Sequence, residues 1–272
     1  MYFVHMAFHS LTRQLFDMTY VDGGCVGPAP PGTTYDDTMG CYLTNYFITL
    51  VGVVGAIAIM SSKSADSTYK MFAVIFFLGK GLGYGVAGLL HQFATTEELN
   101  NANEGWWKTS YVLTLVGNTG ICLIGVQMVV DKCEGVVDCL KLYLHLLYGL
   151  VVVFYVLASG VVVVTYNMTI AGVATLLGLL FVIVVYCIRL GIPKAVGTMI
   201  MVAGLLTQTL LAPTCGDRGY EDCWKDCVLP APQFNHNAAF HVLFGIGMLV
   251  LAITMPSSPD MVSKGYQAVS PA

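Results

Sequence analysis

The sequence predicts an all-α protein, a bundle of seven transmembrane helices, and three observations support this fold class. Of the 272 residues, 56% are apolar and only 10% are charged, whereas soluble domains carry roughly 25% charged residues. The mean hydropathy is +0.73. The apolar residues form seven long stretches, and a single charged residue lies within them. Each stretch approaches the length of about 20 residues that a helix needs to cross a bilayer core of about 30 Å.

The predicted spans have the composition of helices rather than of barrel strands. They are rich in Val, Leu, Gly and Ala, and polar and apolar residues do not alternate along them. The connection from Thr165 to Met168 is so short that the fourth and fifth helices must be antiparallel neighbours. In chain order, the predicted spans cover residues 44–60, 71–93, 110–130, 142–164, 169–188, 195–212 and 235–255.

One membrane domain over residues 44–255 is predicted, flanked by two extramembrane segments. In segment 1–43, apolar residues recur at helical spacing between Val4 and Met18, which predicts a short interfacial helix. Segment 256–272 is predicted to be a short cytoplasmic tail. The sequence contains no convincing internal repeat, which favours a single domain.

The basic residues predict the orientation of the bundle. The loops after the first, third and fifth spans and the C-terminal tail contain seven Lys and Arg residues, and the opposite set of segments contains four. Because basic residues favour the cytoplasmic side, the N-terminus is predicted to be outside or lumenal and the C-terminus cytoplasmic.

Charge also limits the partners of the protein. The net charge is −4 and no basic cluster is present, which argues against binding to nucleic acid. The expected partner is membrane lipid, and the sequence does not indicate a protein partner. The composition predicts an integral multi-pass membrane protein, of either the plasma membrane or an endomembrane.

Five of the nine cysteines fall on the predicted outer side, where disulfides persist. A metal cluster is the alternative, but no His residue or CxxC pair accompanies these thiols, so disulfides are favoured. The candidates are Cys25, Cys41, Cys215, Cys223 and Cys227.

Ionisable residues inside a membrane are costly and are candidates for function. The second span contains Lys80 and His91, which are eleven residues apart and therefore about 20° apart around a helix. Tyr84 and Ala87 fall on the same stripe, which is predicted to face the bundle interior. Lys80 is predicted near the midplane and His91 close to the outer boundary.

The seventh span begins on the same outer side with a polar stretch. Asn237 and His241 are four residues apart and share a helix face, whereas His236 joins that face only as part of an N-terminal turn. Histidines from two helices are thus predicted to converge at one depth, His91 from the second and His241 from the seventh.

These residues carry a family resemblance. The sequence GLGYGVAGLLHQF at 81–93, followed downstream by NHNAAFH at 235–241, resembles the CREST superfamily of seven-helix membrane proteins, which includes the alkaline ceramidases and the progestin and adipoQ receptors. The resemblance implies zinc-dependent hydrolysis of a lipid amide, or an inactive relative of such a hydrolase.

The resemblance also implies residue roles. His91, His241 and His236 are the expected zinc ligands, and Tyr84 and Lys80 are the expected catalytic assistants. Zinc would acidify a water and polarise the scissile carbonyl. Asn237 stands where the family has a histidine, Ala87 where it has a serine, and the third span has Asn118 but no aspartate. Asn237 and Asn118 are the expected substrate-binding residues. Acidic residues of the second or sixth loop are an alternative source of a third ligand.

Two other functional classes remain open. The first is a non-enzymatic sensor, lipid-binding or scaffold protein on the same fold, in which Asn237 and His241 make interhelical hydrogen bonds. The second, ranked third overall, is a small-solute transporter that uses Lys80. The absence of proline-broken helices in the predicted spans argues against it.

Overall fold

The computed structural model describes residues 38–62, 66–94, 102–132, 138–165, 168–188, 191–211, 229 and 234–256. Within these residues it contains seven α-helices and no strand, which confirms the predicted fold class. The helices are α1 (Met39–Ser61), α2 (Ser67–Phe93), α3 (Glu104–Lys132), α4 (Asp138–Thr165), α5 (Met168–Ile188), α6 (Ile192–Leu211) and α7 (His236–Thr254).

By length and composition, the helices of the described residues confirm a multi-pass membrane protein. Six of them, α1 to α5 and α7, are long and apolar enough to cross a membrane. Helix α6 has a shorter apolar stretch, Ile192–Gln208. The predicted orientation of the termini stays a prediction. So does the division into a membrane domain and two flanking segments, since residues 1–37 and 257–272 lie outside the described part.

Several helices begin before the apolar stretch that predicts them, because polar side chains cap their first turns. Thr38 accepts a hydrogen bond from the backbone N–H of Cys41 and begins α1. Asp66 accepts one from the N–H of Thr68 and begins α2. Asn235 also caps its helix, α7, which begins at His236, next to the predicted start. Caps of this kind satisfy backbone donors that have no partner within the helix.

Six of the helices form a closed ring. Following the contacts between neighbours, the order around the ring is α1, α2, α3, α5, α6 and α7, and α7 then packs against α1. The most extensive contact joins α2 to α3. The ring places the interior stripe of α2 opposite α7, and this arrangement creates the polar region described below.

Helix α4 lies outside this ring and packs only against α3 and α5 among its main neighbours. Only 11% of its apolar window is buried, compared with 39–61% for the other five spans. Most of its surface therefore faces the surroundings of the protein, which for a spanning helix is lipid.

Glycines allow α2 and α3 to approach closely. A Cβ atom at Gly79 would lie 2.5 Å from the backbone nitrogen of Gly117 and 2.9 Å from the carbonyl oxygen of Leu113. These distances are shorter than any ordinary contact, so only glycine fits at this crossing. Close backbone approach at small residues is the usual basis of helix association in membranes.

Candidate functional site

The candidate site is centred on His241, in the second turn of α7, where this helix packs against α1. Its imidazole is 4% exposed. The Nδ1 atom lies 3.2 Å from the Thr44 hydroxyl and 3.3 Å from the Asn45 amide nitrogen, both on α1. Two consecutive residues of α1 therefore fix the orientation of the histidine ring.

The hydrogen bonds of Thr44 and Asn45 are compatible with two states of His241, one with Nδ1 protonated and one with Nδ1 unprotonated. The Thr44 hydroxyl donates to the carbonyl oxygen of Gly40 or Cys41, so its lone pairs face the ring and accept from a protonated Nδ1. The Asn45 amide has two hydrogens. One goes to the carbonyl of Cys41 at 2.9 Å and the other is directed at an unprotonated Nδ1. Helix α1 thus accommodates either tautomer.

Asn45 also brings an unsatisfied acceptor to the site. Its side chain is fully buried, and its Oδ1 atom has no hydrogen-bond partner in the described part of the chain. The amide is held with Nδ2 toward the Cys41 carbonyl, since exchanging the two atoms would oppose two oxygens at 2.9 Å. A buried acceptor without a donor costs about 1–3 kcal/mol, so this oxygen is a place where a ligand donor is favoured.

The polar face of α7 continues one turn toward its N-terminus. The amide nitrogen of Asn237 lies 3.0 Å from the sulfur of Cys41 and donates to it. Asn237 and His241 therefore share a face, as their spacing predicts, and that face is directed at α1. His236, the first residue of α7, is 9% exposed and so is buried at the start of the helix.

Aromatic rings border the site on the side of α2. The Tyr84 ring meets the His241 ring edge to face, with centroids 5.4 Å apart. It also lies 6.0 Å from Phe240 and 5.6 Å from Phe244. Tyr84 therefore connects α2 to α7, and the site combines a few polar atoms with apolar walls, as ligand sites in proteins usually do.

Lys80 faces the ring interior, as predicted, one turn of α2 from Tyr84. Its side chain is fully buried, and its ammonium has no hydrogen-bond partner among the residues that the structure describes. The ammonium lies 5.0 Å from the centroid of the Phe244 ring. This contact supplies a cation–π attraction but no acceptor.

Asn118 is also buried, but it belongs to a different contact. Its amide nitrogen donates to the Thr175 hydroxyl at 2.7 Å and links α3 to α5. The structure therefore gives Asn118 a hydrogen bond between two neighbouring helices of the ring, while its Oδ1 atom has no partner within the described residues.

His91 and His241 contact different groups. The His91 ring packs edge to face on Trp107 of α3, with centroids 5.0 Å apart. His241 packs on Tyr84, which precedes His91 by two turns, or about 10 Å along α2. The two rings thus have different aromatic neighbours, and the convergence of the two histidines at one depth stays a prediction.

Among the described residues, no group of three or more His, Cys, Asp or Glu side chains is placed to hold a metal ion. His91, His236 and His241 do not form such a group in the described structure, and their role as zinc ligands stays a prediction.

The predicted disulfide of Cys41 is not present. The structure has Cys41 as a buried thiol next to Asn237, in the first turn of α1 and within the helix contact. The other four candidates, Cys25, Cys215, Cys223 and Cys227, lie outside the described residues, and their pairing stays a prediction.

Thr44 and Asn45 are site residues that the sequence patterns do not predict. Both lie at the polar start of the first span, and with Cys41 they occupy one face, since residues three and four apart are helical neighbours. A polar face at the beginning of an apolar helix indicates a polar contact with another helix. Only the packing of α1 on α7 shows that this contact is with His241.

Comparison with family models, curated proteins and solved structures gives no match to this chain. The fold defines the class, a multi-pass helical membrane protein, and the motifs at 81–93 and 235–241 remain the sole basis of the family resemblance. Function must therefore be argued from the site.

Proposed function

We propose that the protein binds a neutral membrane lipid at the site between α1, α2 and α7, through a hydroxyl or amide N–H group of the lipid. The observation that carries this proposal is the unsatisfied Oδ1 atom of Asn45, buried beside His241. It accepts the lipid donor, and Nδ1 of His241 keeps its hydrogen bond to α1.

The surroundings favour an amphiphile over a water-soluble ligand. The rings of Tyr84, Phe240 and Phe244 form the wall of the site, so an acyl or ring system attached to the donor packs against aromatic surface. Such a ligand reaches the site from the bilayer. Binding without turnover is the function that this arrangement supports best.

The experiment uses the full chain in lipid nanodiscs and a ceramide analogue that carries a photoactivated diazirine. We expect specific crosslinking that excess unlabelled lipid displaces. Methylation of the lipid hydroxyl and amide nitrogen removes the donors and should weaken displacement by about tenfold, the value of one buried hydrogen bond. If the methylated lipid displaces the probe as well as the unmodified lipid does, the proposal is contradicted. This comparison needs only the wild-type protein.

The matched protein variants are Asn45→Leu and Thr49→Val. Asn45→Leu removes the acceptor, and crosslinking should fall by about tenfold or more. Thr49 lies one turn further along α1, and its hydroxyl donates to the carbonyl of Asn45 within the helix. Thr49→Val should therefore leave crosslinking unchanged. An equal loss in both variants would show that general packing of α1 matters rather than the acceptor.

Zinc-dependent hydrolysis of a lipid amide is the second candidate, and one observation favours it. Proteins orient zinc-binding histidines by a hydrogen bond to the second ring nitrogen, and α1 supplies such a bond to His241. The test is the metal content of detergent-purified protein. Hydrolysis would become the assigned function, in place of binding alone, if two results are obtained. The wild-type protein contains about one zinc per chain, which both His91→Ala and His241→Ala lose, and it releases fatty acid from ceramide. Metal-free wild-type protein without turnover would eliminate this candidate.

A further inference from the structure

The centre of the ring contains a second polar region, which borders the His241 site at Phe244. Lys80 is the middle residue of the 27-residue helix α2, and Asn118 is the middle residue of the 29-residue helix α3. A Cβ atom at Gly117 would lie 3.0 Å from the Cγ atom of Lys80. The stem of the lysine therefore packs on the backbone of α3 next to Asn118.

Among the described residues of this region, one buried hydrogen-bond donor and one buried acceptor have no partner. The Lys80 ammonium is a donor without an acceptor in the described part of the chain, and Oδ1 of Asn118 is an acceptor without a donor. The Asn118 amide is held in one orientation, because the Thr175 hydroxyl donates to the carbonyl of Ala171 and accepts from Nδ2. Within the described residues, the positive charge of Lys80 and a lone pair of the Asn118 oxygen thus both lack a partner, and both residues lie at the middle of their helices.

Within the described residues, no carboxylate is hydrogen-bonded to Lys80. The seven predicted spans contain no Asp or Glu, and the acidic residues that the structure describes all lie at helix ends. The nearest on its own helix is the cap Asp66, fourteen residues or about 20 Å away along the axis. The four-carbon stem of a lysine cannot span that distance. Charged groups within membranes are usually paired, and an unpaired one marks an ion or substrate path.

We propose that Lys80 binds a small monovalent anion, such as a halide, in the middle of the ring. The anion accepts hydrogen bonds from the ammonium and from one water, and this water donates its other hydrogen to Oδ1 of Asn118. Both unsatisfied atoms are then paired. Tight packing sets the size limit, because Phe76 and Phe77 in the preceding turn are fully buried and α3 approaches the lysine stem closely.

The test measures anion dependence of the full chain in detergent. Thermal unfolding is followed at constant ionic strength while gluconate, which is too large for the site, is replaced stepwise by chloride, bromide or formate. We expect a saturable rise of Tm, because a ligand that binds only the folded protein stabilises it. The chloride and formate series distinguish a halide from a small carboxylate. Broadening of the ³⁵Cl NMR signal, reversed by bromide, reports chloride binding directly.

The variants separate a site at Lys80 from a general salt effect. Lys80→Met should weaken anion binding by about tenfold to a hundredfold, the value of a charge-assisted hydrogen bond. Lys194 is the matched control, since it is also buried and its ammonium also lies over an aromatic ring, 5.5 Å from that of Tyr186. Lys194→Met should retain the wild-type anion dependence.

Three outcomes would overturn the proposal. The first is a wild-type Tm that does not depend on the anion, which indicates a structural lysine or a direct bond to Asn118. The second is an unchanged dependence in Lys80→Met, and the third is an equal loss in Lys194→Met. If Lys80→Met does not fold, the ³⁵Cl measurement on wild-type protein still decides the matter. The lipid experiments on Asn45 do not depend on any of these results.

Discussion

Substitution of Gly79 by alanine tests the helix packing most directly. The new Cβ atom would lie 2.5 Å from the backbone nitrogen of Gly117 and 2.7 Å from its Cα atom. An ordinary contact needs about 3.5 Å, so α2 and α3 must separate by about 1 Å. The obstructing atoms belong to the backbone, and no side-chain rotation relieves the contact.

The expected cost follows from this separation. Overpacking of a closely packed core costs about 1–3 kcal/mol. A gap of 0.5–1 Å already removes roughly a quarter to a half of the dispersion energy of each separated atom pair. Because α2 and α3 share the most extensive contact of the bundle, we expect a loss at the upper end of that range, about 2–3 kcal/mol.

The assay is reversible unfolding by SDS in mixed micelles, followed by circular dichroism, with Gly160→Ala as control. Gly160 lies on α4, and a Cβ atom there would meet nothing within 4 Å. The same chemical change should therefore be neutral or stabilising by up to about 1 kcal/mol, the difference in helix propensity. Equal stabilities of the Gly79 and Gly160 variants would refute the close α2–α3 contact.

Three further predictions follow from the same structure. Thr175→Val leaves the buried amide nitrogen of Asn118 without an acceptor and should lower the free energy of unfolding by about 0.6–2 kcal/mol in the SDS assay; adding Asn118→Leu should recover most of this loss, and no recovery would contradict the pairing. A maleimide should modify the exposed Cys187 well before the buried Cys122, which peptide mass spectrometry measures; equal rates would place Cys187 inside the bundle. In intact microsomes, protease should remove an epitope tag placed after residues 256–272 and spare an N-terminal tag, whereas the reverse pattern would invert the predicted orientation.

The sequence predicts the seven helices of the described residues well, because apolar length is a property of each segment alone. Helix bounds are less predictable. The second span is predicted at 71–93, but α2 begins at Ser67, where the cap Asp66 allows the helix to extend beyond its apolar part. Hydropathy detects the portion inside the bilayer, whereas hydrogen bonding sets the end of the helix.

The candidate site is only partly predictable for a physical reason. The burial of Lys80 follows from the cost of a charge in lipid, and the shared face of Asn237 and His241 follows from helical spacing. Contacts between helices depend on their relative depth, which the sequence of either helix does not contain. This is why the sequence did not predict the pairing of His241 with Thr44 and Asn45.

The position of α4 outside the ring has a consequence for how the sequence of this helix can vary. Since only 11% of its apolar window is buried, most of its side chains contact acyl chains, which adapt to any apolar shape. Selection on these positions is then for hydrophobicity rather than for fit. The ring helices tolerate few exchanges of size, whereas α4 should accept Val, Leu, Ile or Phe almost interchangeably. Over time this helix should drift faster than the six helices of the ring.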